Sequence, residues 1–130
     1  MNKIISFIFL TLFISCSTNN KSFVKVDKQS LKNIWNDDSC GIDGERRGVA
    51  EILTKSWEKN RLNIETLKFI LGQPAKVDTL NNKVIKFCYI VSSGIKNCES
   101  LSYDDVVHIG LVVFYDTKSS KITGCQTNLY

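Results

Sequence analysis

The residues of this sequence best suited to chemistry are its five cysteines and its single histidine. A zinc site would need closely spaced ligands such as a CxxC pair; no such pair occurs, and His108 lies in an apolar run. A nucleophilic Cys88 or Cys125 would need a histidine base beside it, and nothing in the sequence places His108 there. The pattern predicts no catalytic residue, no metal site and no cofactor, and leaves disulfide formation or covalent modification as the thiol chemistry. The five cysteines are Cys16, Cys40, Cys88, Cys98 and Cys125.

Two pairs of adjacent carboxylates are the other candidates for chemistry, Asp37–Asp38 and Asp104–Asp105. Adjacent carboxylates point apart, and neither pair belongs to a spaced calcium-loop pattern. Phosphate-binding, dinucleotide-binding and GxSxG motifs are absent from the sequence. We interpret both pairs as solvated turns or helix caps, and predict that the protein is not an enzyme.

The first fifteen residues have the order of a secretory signal peptide. Met1-Asn2-Lys3 supplies a positive charge, and residues 4–14 are almost wholly apolar. This stretch is shorter than the about 20 apolar residues of a membrane-spanning helix. Ser15-Cys16 at its end resembles the lipobox of bacterial lipoproteins, a family in which the cysteine is acylated and becomes the first residue of the mature chain.

The lipobox resemblance implies a palmitate-type anchor on Cys16 and a location in the bacterial envelope, where we expect the outer membrane on its periplasmic side. Two alternatives stay open, an ordinary signal peptide with an incidental cysteine or a buried N-terminal strand. The domain boundaries that follow are 1–15 for the signal, 16–22 for a polar tether and 23–130 for one domain. The whole chain has a formal net charge of +4. The predicted signal contains one lysine and no acidic residue, so the mature chain has a formal net charge of +3. That excess is too weak to indicate nucleic-acid binding.

Apolar periodicity predicts two helices after an N-terminal region. Residues 23–36 fit a short extended piece and a helical turn, and residues 36–44 are a loop by composition. An apolar stripe then predicts a helix that ends near Asn60. In the second helix Asn63 is placed to cap the start, and Gly72 with Pro74 to end it.

β-branched and aromatic runs predict three strands, at residues 84–91, 106–115 and 121–126. Helices followed by strands indicate an α+β fold, with two N-terminal helices packed on one face of a three-stranded antiparallel meander. The other face would stay wet, be covered by a partner, or be covered by the N-terminal segment.

Four cysteines remain after Cys16, and an exported chain lies in an oxidising compartment. They allow three full pairings, among which sequence alone does not choose. Cys88 and Cys125 fall inside the first and third predicted strands, about 9–10 Å apart and beyond the about 7 Å Cα limit of a disulfide. Cys40 and Cys98 fall in loops that can meet at one edge, so we predict one disulfide, Cys40–Cys98, and two buried thiols.

The stretch Leu62–Pro74, ending Leu71-Gly72-Gln73-Pro74, resembles the helix motif of the SmpA/OmlA (BamE-like) outer-membrane lipoprotein family. Residues 111–124 are similar to that family's last hairpin, and together the similarity spans about residues 45–125. It implies two helices on a three-stranded antiparallel sheet, as in one repeat of β-lactamase inhibitor protein. The loop at residues 38–41 and the extra cysteines depart from BamE itself. We predict that Asn63, Leu71, Gly72 and Pro74 are structural; the rival view is that this turn is a recognition surface.

Aromatic side chains of the strands are the candidates for a partner interface, namely Tyr89, Phe114 and Tyr115. Strand alternation puts Tyr115 with Leu111 on one face and Phe114 on the other, so one set is core and the other is an exposed patch. An alternative of equal weight is that these aromatics have no binding role and are present because long strands commonly contain aromatic residues. We predict a non-enzymatic interaction or scaffold module that binds another envelope protein, with outer-membrane protein assembly as the process the resemblance implies. The alternative is an inhibitor-like or ligand-binding periplasmic module of the same fold.

Overall fold

The computed structural model describes residues 27–105 and 107–129. The predicted signal, Cys16, the tether and the extended piece from residue 23 lie outside these residues. The described chain forms three α-helices followed by an antiparallel sheet with strand order β1-β2-β3-β4. The helices are α1 (Lys28–Asp37), α2 (Glu45–Glu58) and α3 (Ile64–Leu71), and the strands are β1 (Lys76–Thr79), β2 (Val84–Ser92), β3 (Ile109–Asp116) and β4 (Lys121–Leu129).

The α+β class agrees with the sequence prediction, but two elements were missing from it. Helix α1 has ten residues rather than a single turn, and it buries only Leu31 and Trp35. Two buried positions are too few to give a clear apolar period, although Asp27 caps the helix by accepting a hydrogen bond from the Ser30 amide at 3.3 Å. Strand β1 was missed because its four side chains are exposed or half-buried and form no apolar run.

The second predicted helix has the expected ends. The Asn63 side chain accepts a hydrogen bond from the Thr66 amide at 2.8 Å. Gly72 ends the helix with φ of 68° and ψ of −141°, while its amide bonds to the Lys68 carbonyl. The positive φ was predicted, but the ψ differs from the left-handed helical value, and this region of backbone space is essentially restricted to glycine.

The strand boundaries shift where apolar residues leave the sheet. Strand β3 begins at Ile109 rather than at residue 106, since Val107 is 76% exposed and His108 precedes the strand. Strand β4 runs past Gln126 to Leu129, paired with β3 from Asp116↔Lys121 to Ile109↔Leu129. The second half of β4 is mostly polar, so the prediction from β-propensity ended the strand too early.

Both faces of the sheet are covered. The helices pack on the face that carries Phe87, Tyr89, Leu111 and Val113, which forms the larger core. The β2–β3 segment, residues 93–108, contributes to a second cluster on the opposite face. That cluster contains Cys40, Cys88, Ile90, Cys98, Tyr103 and Val112, with Phe114 packed against it. The opposite face is therefore covered at this end by a segment of the domain itself, which none of the three predicted alternatives included.

Candidate functional site

A cleft of about 390 Å³ lies beside β2, and its origin is the unequal length of β1 and β2. The two strands pair from Thr79↔Ile85 to Lys76↔Cys88, and the Ala75 amide adds one more bond to the Cys88 carbonyl at 2.8 Å. Beyond Cys88, β2 continues to Ser92 with no described strand on that side. The cleft occupies the place that a longer β1 would fill.

The cleft walls come from four parts of the fold. They are the end of α1 with the start of α2, the turn after α3, the middle of β2, and the β2–β3 segment. The lining residues are Trp35, Asn36, Arg46, Leu71, Gly72, Gln73, Ala75, Tyr89, Ile90, Cys98, Leu101 and Tyr103.

Arg46 closes the unpaired edge of β2 in place of a strand. Its Nη1 donates to the Ile90 carbonyl at 3.0 Å and its Nε donates to the Trp35 carbonyl at 2.8 Å. The guanidinium carbon lies 4.4 Å from the centroid of the Trp35 ring, within range of a cation–π interaction. Hydrogen bonds from two directions and a stacked ring hold the charge in one place.

Asp38 positions the backbone beneath Arg46. Its carboxylate is 1% exposed and accepts hydrogen bonds from the amides of Asp43 at 2.9 Å and Arg46 at 3.0 Å. It thereby caps α2 from outside the helix, because the residue in the cap position, Gly44, has no side chain to do so. The sequence left this pair as a turn or a cap; the structure shows that Asp38 is a buried cap and that Asp37 is exposed.

Tyr89 was predicted as an interface residue, and this is wrong because the side chain is only 2% exposed. Its ring packs edge-on against Trp35 with centroids 6.3 Å apart, in the helix-side core. Its hydroxyl oxygen is buried without a hydrogen-bond partner. Burial raises the pKa of the hydroxyl well above its ordinary value, so Tyr89 stays protonated and can donate a hydrogen bond.

The other two predicted interface aromatics are half-buried and lie on opposite faces. Tyr115 packs against the helix-side core and Phe114 against the second cluster. A Cβ at Gly124 would lie 2.8 Å from the Phe114 ring, so that glycine makes room for the aromatic on the neighbouring strand. The predicted alternation of faces is correct, but it does not produce the fully exposed aromatic patch that one alternative required.

The structure joins Cys40 and Cys98 by a disulfide with Cα atoms 5.7 Å apart. The Ser93 amide also bonds to the Cys40 carbonyl at 3.1 Å. Gly41 approaches β2 so closely that an added Cβ would overlap the carbonyl oxygen of Val91. The turn at residues 39–41 and the β2–β3 segment are therefore tied together, and Cys98 fixes one wall of the cleft.

The remaining described thiols are buried on opposite faces of the sheet. Cys88 lies in the second cluster and Cys125 in the helix-side core, 3.9 Å from the Thr54 hydroxyl. Burial raises the pKa of Cys88, and it raises the pKa of Cys125 to about 11. Both thiols are therefore protonated at neutral pH, and thiols in that state are poor nucleophiles.

The histidine contacts the edge of the second cluster through Tyr103. His108 is 2% exposed, and its ring meets Tyr103 edge-on with centroids 4.1 Å apart. Within residues 27–105 and 107–129, no three His, Cys, Asp or Glu side chains are grouped so that they could hold a metal ion.

The turn motif singled out in the sequence contributes directly to the cleft. Leu71 is 3% exposed and packs in the helix-side core, while Gly72 and Gln73 line the cleft with their exposed surfaces. Pro74 is half-buried just before β1. The motif packs in the core at Leu71, ends the helix at Gly72, and reaches the surface of the cleft at Gly72 and Gln73.

The far edge of the sheet is a second surface with binding potential. Strand β4 has nine residues and pairs with β3 alone among the described strands. It carries one charged side chain, Lys121, and no proline. Natural edge strands are commonly blocked by charges, prolines, bulges or short length. In β4 the charge of Lys121 and a register shift opposite Phe114 and Tyr115 lie near the start of the strand, and residues 124–129 carry none of these devices.

No family model matches the chain, and neither do the curated proteins or solved structures with which it was compared. The SmpA/OmlA resemblance thus stays a prediction from the residues. None of the described helices has the length and apolar character needed to cross a membrane.

Proposed function

We propose that this protein is a non-enzymatic, lipid-anchored envelope protein that binds an extended segment of another envelope protein along the open edge of β4. The observation that carries the proposal is the nine-residue length of β4 with a strand neighbour on one side only, within the described chain. The anchor follows from the signal peptide and Ser15-Cys16 in the sequence.

Strand addition supplies affinity through backbone hydrogen bonds and does not require an apolar patch. The side chains of β4 suit that mode, because Thr123, Gln126 and Thr127 are exposed and compact or polar. Alternate residues of an antiparallel edge strand direct both their N–H and C=O groups outward. The six residues beyond the register shift, 124–129, therefore offer a partner strand about three outward-facing positions, enough for a short pairing.

A membrane tether compensates for a modest interface. Holding both partners at one membrane surface raises the effective concentration of each, so a weak contact becomes occupied. An envelope partner with a flexible, extended segment fits this arrangement better than a folded partner, because a strand edge is a narrow surface.

The edge can be tested by two neighbouring substitutions, Gln126→Pro and Thr127→Pro. Only one of these two residues directs its amide toward β3, so one proline removes a ladder bond and the other removes only an outward donor. The variant that loses only an outward donor is the one whose melting temperature stays near that of the parent, so thermal melting identifies it. A photo-crosslinking residue at Thr123 should then capture an envelope protein in the parent and lose that adduct in the fold-preserving proline variant.

The same crosslinker at Asn82, in the exposed β1–β2 turn, is the matched control, and should give no adduct that either proline affects. The proposal fails if the fold-preserving proline variant keeps the Thr123 adduct. It also fails if the adduct joins Thr123 to residues 23–26 of the same chain or to a second copy.

The anchor has its own test. Cys16→Ser removes the thiol that would be acylated, so the variant should leave the membrane fraction as a soluble protein or an uncut precursor. Recovery of Cys16→Ser in the membrane fraction, processed like the parent, would contradict the lipid anchor without bearing on the β4 edge.

A ligand-binding role is the second candidate, and the cleft beside β2 is the specific observation that favours it. The two roles use opposite edges of the sheet, so one domain can carry both.

A further inference from the structure

We propose that one end of the domain docks on an anionic phospholipid membrane and thereby orients the domain on the membrane that carries its anchor. This surface, which we call the turn end, consists of the β1–β2 turn at residues 80–83 and the β3–β4 turn with its flanking residues, 116–121. Its orienting role rests on the lipid anchor of the proposed function, whereas its affinity for lipid does not. The proposal stands on the charge of the two turns, on an exposed leucine, and on the position of the first described residue.

The two turns form one surface because they lie side by side at the same end of the sheet. Asp116 of β3 pairs with Val84 of β2 on one side and with Lys121 of β4 on the other. The Thr117 amide and hydroxyl both donate to the Lys83 carbonyl, at 2.8 Å and 3.0 Å. These bonds fix the two turns relative to each other, so a flat surface can contact both at once.

The turn end has a net positive charge. Its three lysines, Lys83, Lys118 and Lys121, are exposed, and none of them forms an ion pair with another described residue. The carboxylate oxygens of Asp116 accept hydrogen bonds from the Lys118 amide and the Ser119 hydroxyl, both at 2.9 Å. These bonds lower the pKa of Asp116, so the aspartate stays charged at neutral pH. Three lysines and one aspartate give the two turns a formal charge of +2.

An exposed apolar side chain accompanies these lysines. Leu80 is 45% exposed in the β1–β2 turn, and its amide donates to the Val84 carbonyl at 2.9 Å, which holds the backbone in place. At a membrane surface, an apolar side chain enters the boundary between headgroups and acyl chains, while lysines reach the phosphates with their charged ends. A phospholipid surface therefore uses both kinds of side chain at the turn end.

The opposite end of the sheet, where β2 ends and β3 begins, has the opposite charge. Residues 37–47 and 93–105 lie there, tied to each other by the bridge from Cys40 to Cys98. Together these segments contain seven acidic and three basic residues, a formal charge of −4. An anionic membrane repels this end and attracts the turn end, so the charge of the whole domain favours one orientation.

The described chain also starts on the side of the turn end. Helix α3 begins there, because it follows the end of α2, where the Trp57 indole nitrogen donates to the Ile122 carbonyl at 3.1 Å. Helix α1 runs beside α3 in the same direction, since Lys32 lies over the Phe69 ring and both helices end at the cleft beside β2. Asp27 at the start of α1 is therefore directed toward the membrane when the turn end rests on it.

The anchor and the turn end act on the same side of the domain. Residues 17–26 connect Cys16 to Asp27, and ten residues span at most about 36 Å. With the turn end on the lipid, strand β4 leads away from the membrane, and its residues 124–129 lie about 10–27 Å beyond Lys121 along the strand. The orientation thus keeps the edge proposed for partner binding clear of the lipid.

Vesicle binding tests the surface without the anchor. The chain from residue 16 onward with Cys16→Ser is sedimented with vesicles of phosphatidylcholine alone or mixed with an equal part of phosphatidylglycerol, at about 100 mM and about 1 M salt. It should bind the mixed vesicles at the lower salt concentration only, since each lysine near an anionic surface contributes about fivefold and salt screens the charges. The attraction is weak, so a high-salt wash releases an unlipidated chain from membranes and the anchor test is unaffected.

Two charge-matched variants assign the binding to the turn end. Lys83→Gln, Lys118→Gln and Lys121→Gln together should weaken binding to the mixed vesicles at least about tenfold. The control variant loses three exposed positive charges elsewhere and should bind within about threefold of the parent. Because all six side chains are exposed, thermal melting should show little change in either variant. The control substitutions are Arg47→Gln, Lys68→Gln and Lys96→Gln.

Photo-crosslinking tests the orientation in the anchored protein. A crosslinking residue at Asn82, in the turn end, should form phospholipid adducts in the mature lipidated protein on mixed vesicles. The same residue at Ile42, which is 43% exposed at the opposite end, should form markedly fewer. The proposal is overturned if mixed vesicles bind the chain no better than phosphatidylcholine, if both glutamine variants bind alike, or if the two positions yield equal lipid adducts. A failed anchor leaves the sedimentation result standing, and neither assay depends on whether β4 binds a partner.

Discussion

Removal of the disulfide is the perturbation whose magnitude follows most directly from the structure. The bridge joins Cys40 to Cys98 across 58 residues, a span that includes α2, α3, β1 and β2. Closing a loop of that length in the unfolded chain reduces its conformational entropy, which corresponds to about 4 kcal/mol of stability in the loop-closure model. A domain of this size has about 5–15 kcal/mol in total, so the bridge supplies a large share.

The native contacts around the bridge add to this expectation. Cys40 has a φ of 60°, an unfavourable value for a residue with a side chain, and the disulfide helps to hold it there. The Ser93 amide and hydroxyl also bond to the Cys40 carbonyl, so the bridge and these bonds together hold the β2–β3 segment to the turn at residues 39–41. Reduction should therefore loosen this segment first and lower the stability of the whole domain.

The assay compares thermal and guanidinium unfolding of the parent, with and without a phosphine reductant, against the double variant Cys40→Ala/Cys98→Ala. A loss of about 4 kcal/mol lowers the Tm of a domain of about 100 residues by roughly 15 °C or more. The Tm of the parent under reducing conditions should approach that of the double variant. The Tm of the double variant should be the same with and without the reductant. A fully reduced parent that melts within about 3 °C of the oxidised one would refute the reasoning, as would non-reducing peptide mapping that finds Cys40 free.

Two further predictions concern the helical layer. Leu71→Ala should lower the free energy of unfolding by about 2–5 kcal/mol because the side chain is buried. Gly72→Val should lower it by about 1 kcal/mol or more, because Gly72 has a positive φ, and partner binding should fall in both variants only in proportion to unfolding. A Gly72→Val protein that melts like the parent yet loses the Thr123 adduct would favour recognition by this turn. Asp38→Ala should cost about 2–4 kcal/mol in urea denaturation because it leaves two amides of the α2 start without their acceptor, whereas exposed Asp37→Ala should change stability by less than about 0.5 kcal/mol; equal effects of the two would contradict the capping role.

The candidate site shows how far pattern reasoning reaches. Gly72 and Pro74 were predicted as the end of the helix from local punctuation, because the ends of helices are set by local chemistry. The alternation of Phe114 and Tyr115 was also predictable, since a strand turns successive side chains to opposite faces. No local signal marks Arg46 as the residue that closes the edge of β2, because a charged residue in an amphipathic helix is equally suited to the solvent-exposed face.

The missed elements share a cause. Strand β1 carries no apolar run, and its residues pair along the edge that β2 offers them, from Lys76↔Cys88 to Thr79↔Ile85. Lys76 also forms an exposed ion pair with Asp104 of the β2–β3 segment at 2.7 Å, a contact of small energy. Helix α1 buries two residues against α2 and α3, which a short periodic pattern does not reveal. Both depend on contacts with residues distant in the sequence.

Pattern reasoning reached the N-terminal signal pattern, the α+β order, the ends of α3 and the two loop cysteines as the pair to join, because each of these depends on neighbouring residues or on the reach of a single chain segment. The early end of β1 beside β2, the position of Arg46 in the gap and the burial of Tyr89 are visible only in the folded chain. The cleft is a space between elements, and its shape depends on the relative lengths and packing of segments that no local pattern compares.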